Sequence, residues 1–186
     1  MAKAPKKPPM TKDSLLPLLT AHVLEHGLGG ASLRPLAKAA GTSDRMLIYH
    51  FGTKEALIVD LLGHIAKVYA AALDAAMGGE RAATRADVVA RILAHGDAPA
   101  MQPFMRLWWE IVAGAAREQP GYQRAAQAMM AELLGWLEGQ MPAGDPDPHG
   151  GARYLMTVIE GTAMLTAVGH GETAQQGLLA GGLLPS

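Results

Sequence analysis

The 186-residue sequence contains no cysteine. That excludes disulfide frameworks, Cys-ligated zinc, iron–sulfur clusters and thiol catalysis, and it fits a reducing compartment. No apolar run approaches the ~18 residues of a membrane span. The most apolar stretch, 54–77, is interrupted by Asp60, His64, Lys67 and Asp74. No apolar segment follows the first lysines, so a secretory signal is not expected. Strand alternation is missing throughout, and with it any phosphate loop set between strand and helix. No repeat appears at periods of 20–50 residues. Excess charge of either sign is missing as well: 16 Lys/Arg stand against 17 Asp/Glu, a net charge of −1. The expectation left standing is a soluble, intracellular, helical globular protein of one or two domains.

The charge that is present is unevenly placed. Residues 1–60 carry +3 and the remaining 126 carry −4, which points to one end that meets a polyanion and another with a different task. Part of the basic end is the tract MAKAPKKPPM, with Lys3, Lys6 and Lys7 among prolines. This composition reads as a disordered arm over residues 1–10.

Helical periodicity begins near Asp13, where Leu15, Leu16, Leu19, Val23 and Leu24 recur at spacings of three and four. Asp13 or Ser14 is the expected cap, with Pro17 in the first turn, because a later proline removes a ladder bond. Gly27, Gly29 and Gly30 end this helix. A short second helix follows Ser32 as cap, with Leu33, Leu36, Ala37 and Ala40 as its buried stripe. Gly41 closes it, and Ser43 caps a third helix from Asp44 to about Phe51. Thr53 then caps a long helix, Lys54 to about Met77. Further helices are expected at about 84–95, 99–117, 121–140, 150–168 and 172–181. The fold class is all-α, with about nine helices.

Residues 32–51 are two short helices joined by a three-residue turn that starts with glycine, the spacing of a helix-turn-helix. Leu47 and Phe51 face inward in this reading. Asp44, Arg45, Ile48 and Tyr49 face outward, where a helix of this width fits a DNA major groove. Spacing alone also describes an ordinary helical hairpin.

The wording of the segment goes further. SLRPLAKAAGTSDRMLIYHFGTKEALI, residues 32–58, resembles the DNA-binding signature of the tetracycline-repressor-like (TetR) family of bacterial transcription regulators. The matching elements are LAKAAG at 36–41, Ser43, Leu47, His50-Phe51 and Lys54-Glu55-Ala56-Leu57, and the close likeness runs over 14–60. It implies a cytoplasmic homodimer, nucleoid-associated when bound, whose third helices enter successive major grooves of a palindromic double-stranded operator. It also implies a helix-turn-helix domain at 11–57 and a helical effector-binding and dimerisation domain at 58–186.

Residue by residue, Ser32 and Arg34 open the second helix, where a hydroxyl, backbone N–H groups and a cation hold phosphate. Thr42, Ser43, Arg45 and Tyr49 belong to the reading helix and its approach. Arg45 is the candidate for guanine O6 and N7, or else for a phosphate. His50 and Lys54 match backbone-contacting positions of the family. One departure is Ile48, where the family commonly has tyrosine. The other reading is therefore a helical binding module of the same fold that has lost specific operator contacts.

Beyond residue 60, Met101, Phe104, Met105, Trp108 and Trp109 crowd three helical turns, with Met129 on a later helix. Soft and flat apolar side chains suit a pocket for an apolar or planar molecule, and they equally suit a core. The resemblance implies a small-molecule effector here. Glu110, Tyr154, Thr157 and Glu160 are candidate orienting groups, and Arg153 and Glu160 can pair instead. Leu155, Val158, Thr162 and Leu165 form a stripe that, with the small Gly161, suits a helical dimer interface. His22 and His26 beside Glu25 have metal-ligand spacing on a helix, a pattern also common on surfaces. No metal, cofactor, catalytic constellation, enzyme activity or membrane partner is expected.

Overall fold

The computed structural model describes residues 10–79, 81–96 and 98–184. Lys3, Lys6 and Lys7 of the expected arm lie outside the described residues. In chain order the helices are α1 (Lys12–His26), α2 (Leu33–Ala39), α3 (Asp44–Phe51), α4 (Lys54–Met77), α5 (Arg85–Gly96), α6 (Gln102–Ala116), α7 (Tyr122–Gln140), α8 (Pro148–Ala167) and α9 (Gly171–Ala180). A 3-10 turn, Leu28–Gly30, follows α1, and no strand occurs among the described residues.

Capping chemistry sets most of these boundaries. The start of α1 lies earlier than the sequence suggests: Thr11 is the cap, accepting from Ser14 N–H while the Ser14 hydroxyl accepts from Thr11 N–H. This reciprocal box is stronger than a lone Asp13 or Ser14 cap. As a result Pro17 sits inside the helix and leaves the Asp13 carbonyl without its ladder partner. Ser32 precedes α2 with extended backbone, but its side chain makes no capping bond. Thr53 caps α4 by accepting from Ala56 N–H at 3.1 Å. Asp147 caps α8 by accepting from Gly150 N–H at 2.9 Å, with Pro148 at the first helical position.

α4 has the length and composition of a membrane-crossing helix, with a mean hydropathy of 1.6 over its most apolar window. In the fold it is a core helix. Leu57, Leu61, Leu62 and Ile65 are wholly buried, and Leu73 and Met77 nearly so. Its interrupting acids are engaged, Asp60 with Lys12 at 2.7 Å and Asp74 with Gln140 at 3.1 Å.

The chain divides into two compact units that interleave along the sequence. The first runs to Ile65 and takes in Arg106–Ala126; the second comprises Ala66–Met105 and Gln127–Ser186.

In the first unit Leu15, Leu19, Leu36, Leu47, Leu107 and Ile111 are among the fully buried side chains. In the second, Val88, Val89, Ile92, Leu137, Met141, Leu155 and Leu178 form the core. That core is flanked by a fork-to-fork ion pair: Arg85 Nε and Nη2 donate to Asp145 at 2.7 Å each, and Nη2 also reaches the Asp147 carbonyl at 3.1 Å. The Asp145 side chain is only 3% exposed. The Arg85 hydrogen bonds hold its carboxyl at about 2, well below the usual 3.8, assisted by the Asp147 N–H.

Candidate nucleic-acid interface

The helix-turn-helix is built from the inside outward. Leu36 and Ala37 of α2, then Ala40, pack inward, as do Leu47 and Phe51 of α3. Between the helices Gly41 adopts φ +62, donating to the Lys38 carbonyl at 3.1 Å while Thr42 donates to Ala37 at 2.9 Å. This left-handed closure satisfies the last carbonyls of α2 and reverses the chain within three residues. Ser43 then starts α3, its Oγ accepting from Met46 N–H at 3.3 Å. The oxygen is occupied by that cap, but the hydroxyl proton stays free to donate.

The outward face of α3 is Asp44, Arg45, Met46 and Tyr49. Tyr49 is 77% exposed and Met46 36%, both large for apolar groups on a short helix. Here the expectation needs correcting: Ile48 is half-buried, turned toward the side that Leu47 and Phe51 occupy, and Met46 stands outside in its place. The reason is angular. Residues 45, 46 and 49 share one face at helical spacing, while 47, 48 and 51 share the other.

Of the other predicted contacts, Ser32, Arg34 and Lys54 are exposed and Thr42 is half-buried. His50 packs its ring edge-on to Tyr49 at 5.2 Å. Its Nε2 is buried without a hydrogen-bond partner, so that nitrogen does not face solvent. The predicted residues thus gather on α2, α3 and the start of α4, with His50 turned partly inward.

The predicted effector residues are less unified. Trp108 and Trp109 belong to the first unit; Met101, Phe104, Met105, Met129, Tyr154 and Glu160 belong to the second. Met101 and Met129 are buried, Phe104 packs against Tyr69 at 5.3 Å, and Tyr154 is 47% exposed. Burial, with the charge of Glu160 second, raises the Tyr69 phenol above its usual range.

Two concavities lie in the second unit. One, of about 480 Å³, is lined by residues 81–85 and 142–145. The other, of about 490 Å³, lies between Lys67 and Ala70 of α4 and Glu132, Gly135 and Trp136 of α7. Neither is lined by the eight expected residues. Trp136 walls the second, and its Nε1 is buried without a partner.

Two expected polar roles change. Arg153 pairs with Glu138 of α7 at 3.3 Å, and His149 approaches the same carboxylate at 3.1 Å. Glu110 accepts from Leu28 N–H at 2.7 Å. On α8, Leu155 is wholly buried in the second unit's core, and Val158 packs partly against it. Gly161, Thr162 and Leu165 are half-buried. The outward apolar residues are Tyr154, Met164 and Val168, together with Leu179 of α9. The exposed stripe is thus displaced by one position, about 100° around the helix, from the 155/158/162/165 series.

Residues 22–61 match the family model described as bacterial regulatory proteins, tetR family. No curated protein matches the chain. Among solved structures, the chain is similar to a candidate transcriptional regulator from Streptomyces coelicolor A3(2), with 27% identity and a TM-score of 0.67, covering 90% of this chain and 96% of that one. A candidate TetR-family regulator from Rhodococcus sp. is 21% identical, with a TM-score of 0.67 over 91% of this chain and 94% of its own. The multidrug binding protein EbrR, complexed with proflavin, is 21% identical, with a TM-score of 0.63 over 91% and 98%. The segment 22–61 thus carries the match to the tetR family of bacterial regulatory proteins, and the fold that surrounds it is the one seen in candidate regulators of that family.

Proposed function

We propose that this chain is a ligand-responsive transcriptional repressor that binds a palindromic operator as a homodimer and is released by a small, mostly apolar or aromatic effector. The observation that carries the reading is the outward face of α3: Arg45, Met46 and Tyr49 stand clear of the core on a helix capped by Ser43. Arg45 supplies a planar fork for guanine, Met46 an apolar tip for a thymine methyl, and Ser32, Arg34, Thr42, Ser43, Lys54 and Tyr49 surround them with phosphate donors. His50 contributes to this surface through its packing under Tyr49.

Self-association is assigned to the outward apolar residues of α8 and α9, Tyr154, Met164, Val168 and Leu179, beside the small Gly161. EbrR is a multidrug binding protein crystallised with the flat dye proflavin, which supports a planar aromatic effector for this chain as well. Release requires the effector to bind the operator-incompetent arrangement more tightly, so operator and effector weaken one another by one common factor.

The test is selection of bound duplexes from a random pool, followed by affinity measured against salt. A recovered palindrome with a steep salt dependence supports the reading. Weak, sequence-blind binding supports instead a module that keeps the fold without specific operator contacts, in line with the missing tyrosine at Ile48.

A further inference from the structure

The helix-turn-helix is held from outside its own three helices. α1 ends at His26, and Gly27 turns the chain with φ +73 before the 3-10 turn Leu28–Gly30. The first N–H of such a turn has no acceptor within it. Leu28 is 7% exposed, so its donor needs a partner inside the protein. Glu110 of α6 provides one: its Oε2 accepts from Leu28 N–H at 2.7 Å, the short distance of a bond to a charged acceptor.

Gly27 is shaped around the same carboxylate. A Cβ at residue 27 would stand 2.5 Å from Glu110 Oε1, and the left-handed φ independently disfavours a side chain there. The end of α6 is itself fastened, because Gly114 lies directly under the Tyr122 ring, where any Cβ would collide. Burial, followed by the charge of Glu110, raises the Tyr122 phenol.

We propose that Glu110 is a positioning residue for operator binding, which pins the connection 27–32 and thereby sets the angle at which α2 and α3 leave α1. The inference rests on the operator-binding reading above. It adds that α6, which also carries Trp108 and Trp109, governs DNA affinity through one hydrogen bond. Displacement or rotation of α6 withdraws the acceptor and frees the helix pair that presents Arg45 and Tyr49.

The experiment uses the duplex recovered by selection and compares the full-length wild type with Glu110→Ala, Glu110→Gln and Gly29→Ala. Operator affinity is read together with the exchange rate of the Leu28 amide. Losing the acceptor of a buried donor predicts that E110A binds about tenfold to a hundredfold more weakly, with faster Leu28 exchange. The glutamine oxygen still accepts, so E110Q restores most of the affinity and the protection. Gly29 has open space beside it, so G29A binds as wild type and separates this contact from general sensitivity of the turn. If E110A does not fold, Glu110→Asp, which draws the carboxylate back by one methylene, replaces it.

E110A that binds the operator like wild type while its Leu28 amide exchanges faster overturns the proposal, because the bond is then a local fastening only. E110Q no better than E110A overturns it also. A wild-type protein that selects no duplex overturns the operator-binding reading itself, a result distinct from either.

Discussion

Leu155→Ala and Met164→Ala are one helix face apart and should fail in opposite ways. Leu155 is wholly buried among Ile92, Leu137 and Leu178. Truncating it removes three carbons from a packed core and leaves a cavity, at a cost of ~2–5 kcal/mol in unfolding free energy. With a urea slope of ~2 kcal/mol/M, the midpoint falls by about 1–2.5 M. Met164 is 50% exposed, so within one chain its truncation costs no more than ~0.5 kcal/mol. If it lies in a self-association surface, its loss costs ~1 kcal/mol or more there, about fivefold in the dissociation constant.

The assay is urea unfolding at protein concentrations a hundredfold apart, paired with sedimentation, because association makes the midpoint concentration-dependent. The expected pattern is a large, concentration-independent loss for L155A and weakened association with little intrinsic loss for M164A. The reverse pattern would falsify the assignment of the inward and outward faces of α8, and with it the interface proposed for Tyr154, Met164 and Val168.

Gly114→Ala sets two effects against each other. Alanine favours the helix by at most ~1 kcal/mol, but its Cβ enters the Tyr122 ring, and such overpacking costs ~1–3 kcal/mol. The substitution should lower the melting temperature in wild type and raise it in a Tyr122→Ala background, a sign change that a double-mutant cycle reads directly. Arg45→Ala should relax preference at one base position by ~1–3 kcal/mol in repeated selection, whereas equal loss on every sequence marks a phosphate contact. Asp145 has its carboxyl depressed from 3.8 to about 2 by Arg85, so its stabilisation is complete above the unfolded value and disappears as the pH falls from 3.8 through about 2. Thermal melts across that range should show the wild type losing more stability than Asp145→Asn, which starts lower at neutral pH. Parallel acid limbs for the two proteins would remove Asp145 from the acid response.

Local signals carried most of the fold. The Gly41 reversal, the Ser43 and Thr53 caps and the inward Leu47 and Phe51 all depend on neighbours within four residues, and such relations are written in spacing. The start of α1 is ambiguous in the sequence because Thr11, Asp13 and Ser14 all have capping chemistry, and only the reciprocal bonds of Thr11 with Ser14 decide among them. On α8 both candidate faces carry apolar groups, Leu155 with Leu165 on one and Tyr154 with Met164 on the other. Periodicity therefore reports a helix without saying which side is covered. Pairs such as Arg85 with Asp145 and Glu110 with Leu28 join residues 60 and 82 positions apart. No spacing rule reaches that far, and the sequence offers Glu110 as an effector-orienting group rather than as the acceptor for Leu28 N–H.

The exposure of Tyr49 and Met46 also bears on how binding would register in a calorimeter. A protein held to DNA by phosphate contacts alone exchanges counterions and leaves these side chains wet. Docking of α3 into a groove would take an apolar ring and a thioether out of water, and the removal of such surface lowers the heat capacity of the complex. A binding enthalpy that becomes steadily more negative on warming would therefore report groove insertion independently of any base preference.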